Sequence, residues 1–286
     1  MVKQLEMALL AGVFVASTAG AVHDADVSDL EFKCQAGQNK ASAKFFGCKA
    51  KCVGRCIAGA RKVPPLNPQE DCYPPFGGTT LTCIADPIKG CEAKGIAAIN
   101  KACVVLDPTK TDCPECYSAR GGDANCNGHG EDVIVDGLSN PTGAGLEAQA
   151  DAFLLSFEYC DDWPNTAAEN ECESGLVKAL VKFVGCKSKC YDKCNHSQHK
   201  GAIPPGSCNP PLPADLAAQI CLFDSIKGCE AKLIAACNKA CITPPADAPE
   251  CYSFTCSSIA SLTETWLDGD IWSNYCGSPS GAFVVD

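Results

Sequence analysis

The sequence predicts a mainly α-helical protein of two homologous modules, each stapled by disulfides and punctuated by proline-rich loops. Three observations carry this reading. The chain repeats itself: residues 86–103 (DPIKGCEAKGIAAINKAC) match residues 224–241 (DSIKGCEAKLIAACNKAC) at 15 of 18 positions at an offset of 138, and KFFGCKAKCVGRC (44–56) matches KFVGCKSKCYDKC (182–194) at the same offset. Of 286 residues, 24 are cysteine, a density that marks a disulfide scaffold in an oxidising compartment. Cysteines recur every four residues at Cys48, Cys52 and Cys56, and again at Cys186, Cys190 and Cys194. At ~3.6 residues per turn, that spacing sets three sulfurs along one helical stripe.

The elements follow in order. Lys3 precedes an apolar stretch, MALLAGVFVAS (7–17), and Ala19-Gly20-Ala21 fits the small-x-small cleavage rule, so residues 1–21 are expected to be a signal peptide. No cysteine stands at the cleavage point to take a lipid anchor, and no other apolar run approaches the ~20 residues of a membrane span. The expected localisation is secreted or periplasmic. The first repeat occupies 22–160. AKFFGCKAKC (43–52) reads as a helix. A second helix opens after Asp86-Pro87, an N-cap followed by proline at the first helical position. GLSNPTGAG (137–145) is a turn, and LEAQADAFLLSFEYC (146–160) an amphipathic helix. DDWPNTAAENE (161–171) is the expected linker. The second repeat, 172–286, brings LVKFVGCKSKC (180–190), a helix after Asp224-Ser225, and SIASLTETWLDGDIWSNYC (258–276). VPPLNP, YPPF, IPPGSCNPPLP and TPP separate the helices, since proline opposes helix continuation.

Cysteine arithmetic agrees. The first repeat takes Cys34, Cys48, Cys52, Cys56, Cys72, Cys83, Cys91, Cys103, Cys113, Cys116, Cys126 and Cys160. The second takes Cys172, Cys186, Cys190, Cys194, Cys208, Cys221, Cys229, Cys237, Cys241, Cys251, Cys256 and Cys276. Twelve in each closes up to six bridges with nothing left over. Cys237 stands where the first repeat has Ile99, and Cys113 where the second has Ala248. One gain and one loss keep both counts even, so Cys113 and Cys237 are expected to share an equivalent partner: Cys52 in the first repeat and Cys190 in the second.

The leader, KFFGCKAKC, DPIKGCEAK…NKAC and PECY, followed by KFVGCKSKCYDKCN and PPGSCNPP, together resemble a group of exported, cysteine-rich repeat proteins of bacteria. The resemblance spans nearly all of the mature chain and implies a fold; it implies no activity and no catalytic residue.

The net charge of −11 is unchanged by removal of the leader, because Lys3 and Glu6 cancel. It argues against nucleic acid and anionic membranes, which want basic faces, and suits cationic partners or divalent ions. The best ion-site candidate is GDANCNGHGEDVIVD (122–136). Asp123, Asn125, Asn127 and Gly128 fall at positions 1, 3, 5 and 6 of an EF-type calcium loop and Glu131 at position 9, but position 12 is Ile134, so Asp132 or Asp136 would have to substitute. Such clusters are also ordinary turn formers. The cysteine stripes are disulfide staples or, alternatively, thiolates for Cu(I). Against copper, Met1 and Met7 are the only methionines and both lie in the leader. Cys113-Pro-Glu-Cys116 has the spacing of a thiol–disulfide oxidoreductase motif but no preceding strand pattern. Cys190, Cys194, His196 and His199 have a metal-like spacing, with an exposed polar loop as the alternative. Asn195-His196-Ser197 fits a glycosylation acceptor. No nucleophile elbow or phosphate loop is present, and there are four histidines.

The function expected is therefore that of a secreted, non-enzymatic, disulfide-rich structural or binding protein of the cell envelope or exterior. Alternatives are a thiolate- or calcium-based metal store, and a hydrolase or thiol oxidoreductase. No cofactor is expected, calcium being the one candidate, and the partner is left open, an extracellular protein or surface being the candidate. Phe153, Phe157, Tyr159, Trp266, Trp272 and Tyr275 are either core or a contact face.

Overall fold

The computed structural model describes residues 28–62, 64–103, 126, 128–136, 145–158, 166–242 and 255–275. Regular structure among these residues is helical throughout. Two long helices form the frame: α1 (Asp29–Ala60) and α6 (Ala167–His199), of 32 and 33 residues. They extend well beyond the cysteine stripes because each begins at a capping box. Ser28 and Glu31 cap α1, Thr166 and Glu169 cap α6, and in each box the two side-chain oxygens accept from two otherwise orphaned backbone N–H groups. The last five residues of the 161–171 stretch are therefore the first turn of α6.

Each long helix carries shorter ones. In the first half these are α2 (Gly78–Ala85), α3 (Cys91–Cys103), a short α4 (His129–Glu131) that runs into a π-turn over Asp132–Asp136, and α5 (Leu146–Glu158). In the second half they are α7 (Leu216–Phe223), α8 (Cys229–Cys241) and α9 (Cys256–Asn274). Both α3 and α8 begin one turn later than Asp86 and Asp224 suggest. Each of these carboxylates accepts two backbone N–H groups of an intervening turn, from Ile88 and Lys89 or from Ile226 and Lys227, and those charge-stabilising bonds hold both carboxyls below the usual range.

Disulfides fix the order of packing. Cys34–Cys103 and Cys48–Cys91 run α3 antiparallel along α1, Cys52–Cys83 ties in α2, and Cys56–Cys72 ties in the proline-rich segment. The second half has Cys172–Cys241, Cys186–Cys229, Cys190–Cys221 and Cys194–Cys208. The first three pairs have the same sequence separations in both halves: 69, 43 and 31. Helices this close need a small residue at the contact. A Cβ on Gly37 would lie 2.3 Å from the Ala102 methyl, and one on Gly175 would lie 2.5 Å from that of Ala240.

The expected partner of Cys237 is corrected. Cys190 bonds Cys221, and Cys237 bonds Cys256 at the start of α9. Facing stripes on α6 and α8 suggested Cys190 and Cys237, but Cys190 lies nearer the α7 crossing. Where Cys237 bridges, Ile99 fills the first half's core. Cys113, Cys116, Cys160, Cys251 and Cys276 lie outside the described residues; Cys126 is disulfide-bonded.

The long helices lie antiparallel over a length of about 48 Å, at ~1.5 Å per residue. Asp29 meets His199, Asn39 meets Ser188, and Arg61 meets Glu173. The halves share a core: Phe46, Ala50 and Phe153 pack into the cluster built mostly by α6, α8 and α9, where Phe153 stacks on Trp266 at 4.7 Å.

Candidate functional site

Two kinds of site emerge, one internal and one open. The internal one is a caged lysine. Lys49 of α1 has no solvent exposure, and its Nζ lies 3.1 Å from Glu147 Oε1 and 2.7 Å from Asp151 Oδ1, both on α5. It also donates to the Glu147 backbone carbonyl and lies 5.4 Å from the centre of the Phe76 ring. Lys187 of α6 repeats this with Glu264 and Asp268 of α9, at the same 3.1 and 2.7 Å. A third carboxylate borders each cage, Glu92 on α3 and Glu230 on α8.

Burial dominates the electrostatics. It raises the Glu92 carboxyl to about 7, helped by hydrogen bonding to and repulsion from Glu147. Asp151, Glu230 and Asp268 are raised for the same first reason, desolvation outweighing the attraction of the lysines. Each cage is thus a cation enclosed by acids, a structural knot whose carboxylates are committed to an internal partner. The signal for it was present in the sequence: Lys49 and Lys187 are repeat equivalents, as are Glu92 and Glu230, and both closing helices carry Glu-x-x-x-Asp.

The open site is a groove between α1 and α6. Ala50, Ile57, Val177 and Val181 form its apolar floor, and it encloses about 850 Å³. Lys51 and Arg55 stand on one wall and Lys178 and Lys182 on the other, each pair one helical turn apart. All four are exposed, and among the described residues none has an ion-pair partner. Arg61 pairs with Glu173 at one end. At the other, the helices close together, where a Cβ on Gly47 would lie 3.2 Å from Val181 Cγ1. A second hollow of about 620 Å³ continues past that crossing, with Lys44, Lys89, Lys94 and Asp86 on its lining. Lys51, Arg55 and Val181 belong to both hollows. Basic side chains are gathered here on a chain of net charge −11.

The sites expected from sequence fare differently. Asp123, Asn125 and Asn127 lie outside the described residues. Glu131 and Asp132, the described members of the calcium set, sit on a helical turn, and Ile134 at the twelfth position is fully buried in the core. A chain wrapping an ion would present oxygens at alternate residues; here the helical backbone spreads them around a turn, and this part of the segment gives calcium no support. The groups of three thiols that lie close together, Cys48, Cys52 and Cys91 and their equivalents Cys186, Cys190 and Cys229, are all in disulfides, so they offer no thiolate to copper.

The Cys-His reading is overturned as well. Cys190 and Cys194 are bridged, while His196 and His199 are on the last turn of α6 rather than in a loop. His199 stacks on Phe32 at 4.4 Å and meets Asp29 at 2.8 Å. Asn195, the acceptor of the glycosylation pattern, is buried in the helix and donates to the Tyr191 carbonyl. Phe153 and Tyr275 are core, and Trp266 packs against that core; the Phe157, Tyr159 and Trp272 side chains lie outside the described set. Cys113-Pro-Glu-Cys116 does too. Among the described residues no helix is long and apolar enough to cross a membrane. Compared with known protein families, curated proteins and solved structures, the chain matches none of them.

Proposed function

We propose that this is an exported binding protein without catalytic activity, built of two homologous helical modules (22–160 and 172–286) behind a cleaved leader, and that the groove between α1 and α6 is where it holds its ligand. The observation that carries the reading is the convergence of Lys51, Arg55, Lys178 and Lys182 on one apolar crease with no carboxylate partner among the described residues. Like charges that face one another are unfavourable unless a counter-charge is supplied.

The bridges support export, because such a density persists only where thiols are oxidised. The common separations in the two halves, together with 15 identities in 18, support a repeated module. Glu147, Asp151, Glu264 and Asp268 are turned on Lys49 and Lys187, which supports a structural role for these acids.

Two measurements test this. N-terminal sequencing of protein recovered outside the cell should begin at Val22, and the denatured, unreduced protein should take up no alkylating agent. Retention inside the cell with reactive thiols would overturn export. Reversal of the groove charges (Lys51→Glu with Arg55→Glu) should weaken ligand capture about tenfold or more without changing the fold; undiminished capture would place the ligand elsewhere.

A further inference from the structure

We infer that the ligand is an amphipathic anion, a free long-chain carboxylate, with its head group at Lys51, Arg55 and Lys182 and its alkyl chain along Ala50, Ile57 and Val177; this rests on the groove being the binding site.

The two chemical halves of the ligand are read from the two surfaces of the groove. Its rim supplies cations able to make charge-assisted hydrogen bonds to a carboxylate. Its floor is apolar, and a purely hydrophilic anion would leave that floor wet, whereas an alkyl chain gains from covering it. The size agrees, since small-molecule sites enclose roughly 300–1,000 Å³ and this one about 850 Å³.

The head belongs at the junction of the two hollows. Lys51 and Arg55 line both, so an anion there is met by cations from either side of the Gly47–Val181 crossing. At the far end Arg61 is already neutralised by Glu173, and Glu171 adds a second carboxylate to the lining, so that end repels an anionic head and the head is left to the junction. A long polyanion is disfavoured. A polymer long enough to pass beyond both hollows would run onto a protein of net charge −11 and be repelled, so the ligand is a discrete molecule with its single charge at one end.

Titration calorimetry on the full oxidised chain tests this with dodecanoate below its micelle concentration. Three probes separate the contributions: hexanoate (head alone), dodecyl maltoside (tail without charge) and a glutamate hexapeptide (charge without tail). Dodecanoate should bind one to one. The charge-reversed Lys51→Glu, Arg55→Glu protein should bind it about tenfold or more weakly, as expected for loss of ~1.4 kcal/mol or more, and the other probes should bind weakly or not at all. Lys178→Glu is a second variant on the opposite helix, and near-UV circular dichroism checks that both fold.

Tight binding of the hexapeptide with none of dodecanoate would overturn the ligand class and leave the groove as a binding site. No binding by any probe, with charge reversal without effect, would overturn both. Co-sedimentation with phosphatidylglycerol vesicles in place of monomer binding would assign the groove to a membrane surface and overturn the free carboxylate.

Discussion

Lys49 and Lys187 stand 138 positions apart in the chain and are caged alike: each is fully buried, with a glutamate oxygen at 3.1 Å and an aspartate oxygen at 2.7 Å from Nζ. Neither lysine reaches solvent, so each joins three elements of its half through charge rather than grease. Removing the cation would leave two or three acids together in a poorly solvated space. Lys49→Met should therefore cost about 3 kcal/mol at pH 7, in the range for breaking a buried pair. The loss should shrink at pH 4, where Asp151, whose carboxyl is raised by burial, takes up protons. Denaturant unfolding at the two pH values measures it, and equal losses would contradict the cage.

Glu92 makes a second pH prediction. Burial lifts its carboxyl from an ordinary 4.5 to about 7, so the folded protein binds that proton more tightly than the unfolded one. The resulting stabilisation is complete below pH 4.5 and is lost as pH rises through 7. Glu92→Gln, which cannot ionise, should melt with the parent at pH 4 and above it at pH 8. The gap should be small, because Glu92 is only partly buried and solvent screens it. A gap that closes towards high pH would contradict this.

The bridge unique to the described part of the second half invites a direct test. Peptide mapping should recover Cys237 with Cys256 and Cys190 with Cys221. Replacing Cys237 and Cys256 together with serine opens a loop with a sequence separation of 19 and should cost about 3 kcal/mol.

Glycines in the long helices should respond in opposite ways. Gly37→Ala and Gly175→Ala drive a methyl into Ala102 and Ala240 and should each destabilise by about 1–3 kcal/mol. Gly185→Ala meets nothing within 4 Å in the middle of α6 and should gain about 1 kcal/mol. Thermal melts of the three variants decide it.

Much of the frame was legible in the residues. The four-residue cysteine spacing marks helix faces directly, and prolines mark their ends, because both act locally. The capping boxes at Ser28 and Thr166 are local too, and reading them would have given α1 and α6 their full length. Bridge partners were less legible. Cys190 and Cys237 lie on stripes that face each other in projection, and only the three-dimensional crossing of α7 decides between them. The caged lysines left a trace in the repeated Lys, Glu and Glu-x-x-x-Asp positions, but not their burial: a lysine in a helix between cysteines reads as solvent-facing, and its enclosure depends on acids that arrive from two other helices. The groove escaped likewise. Lys51 with Arg55, and Lys178 with Lys182, are plain basic pairs in sequence, and they meet because α1 and α6 run antiparallel.

Phe46, Ala50 and Phe153 are lodged in a cluster that residues 172–275 complete, whereas the bridges from Cys34 to Cys103 and from Cys56 to Cys72 have both ends in the first half. Covalent closure of the first half and burial of its apolar face thus draw on different stretches of chain. A fragment lacking α6 and α9 could be stapled and would still turn Phe46, Ala50 and Phe153 towards its neighbours.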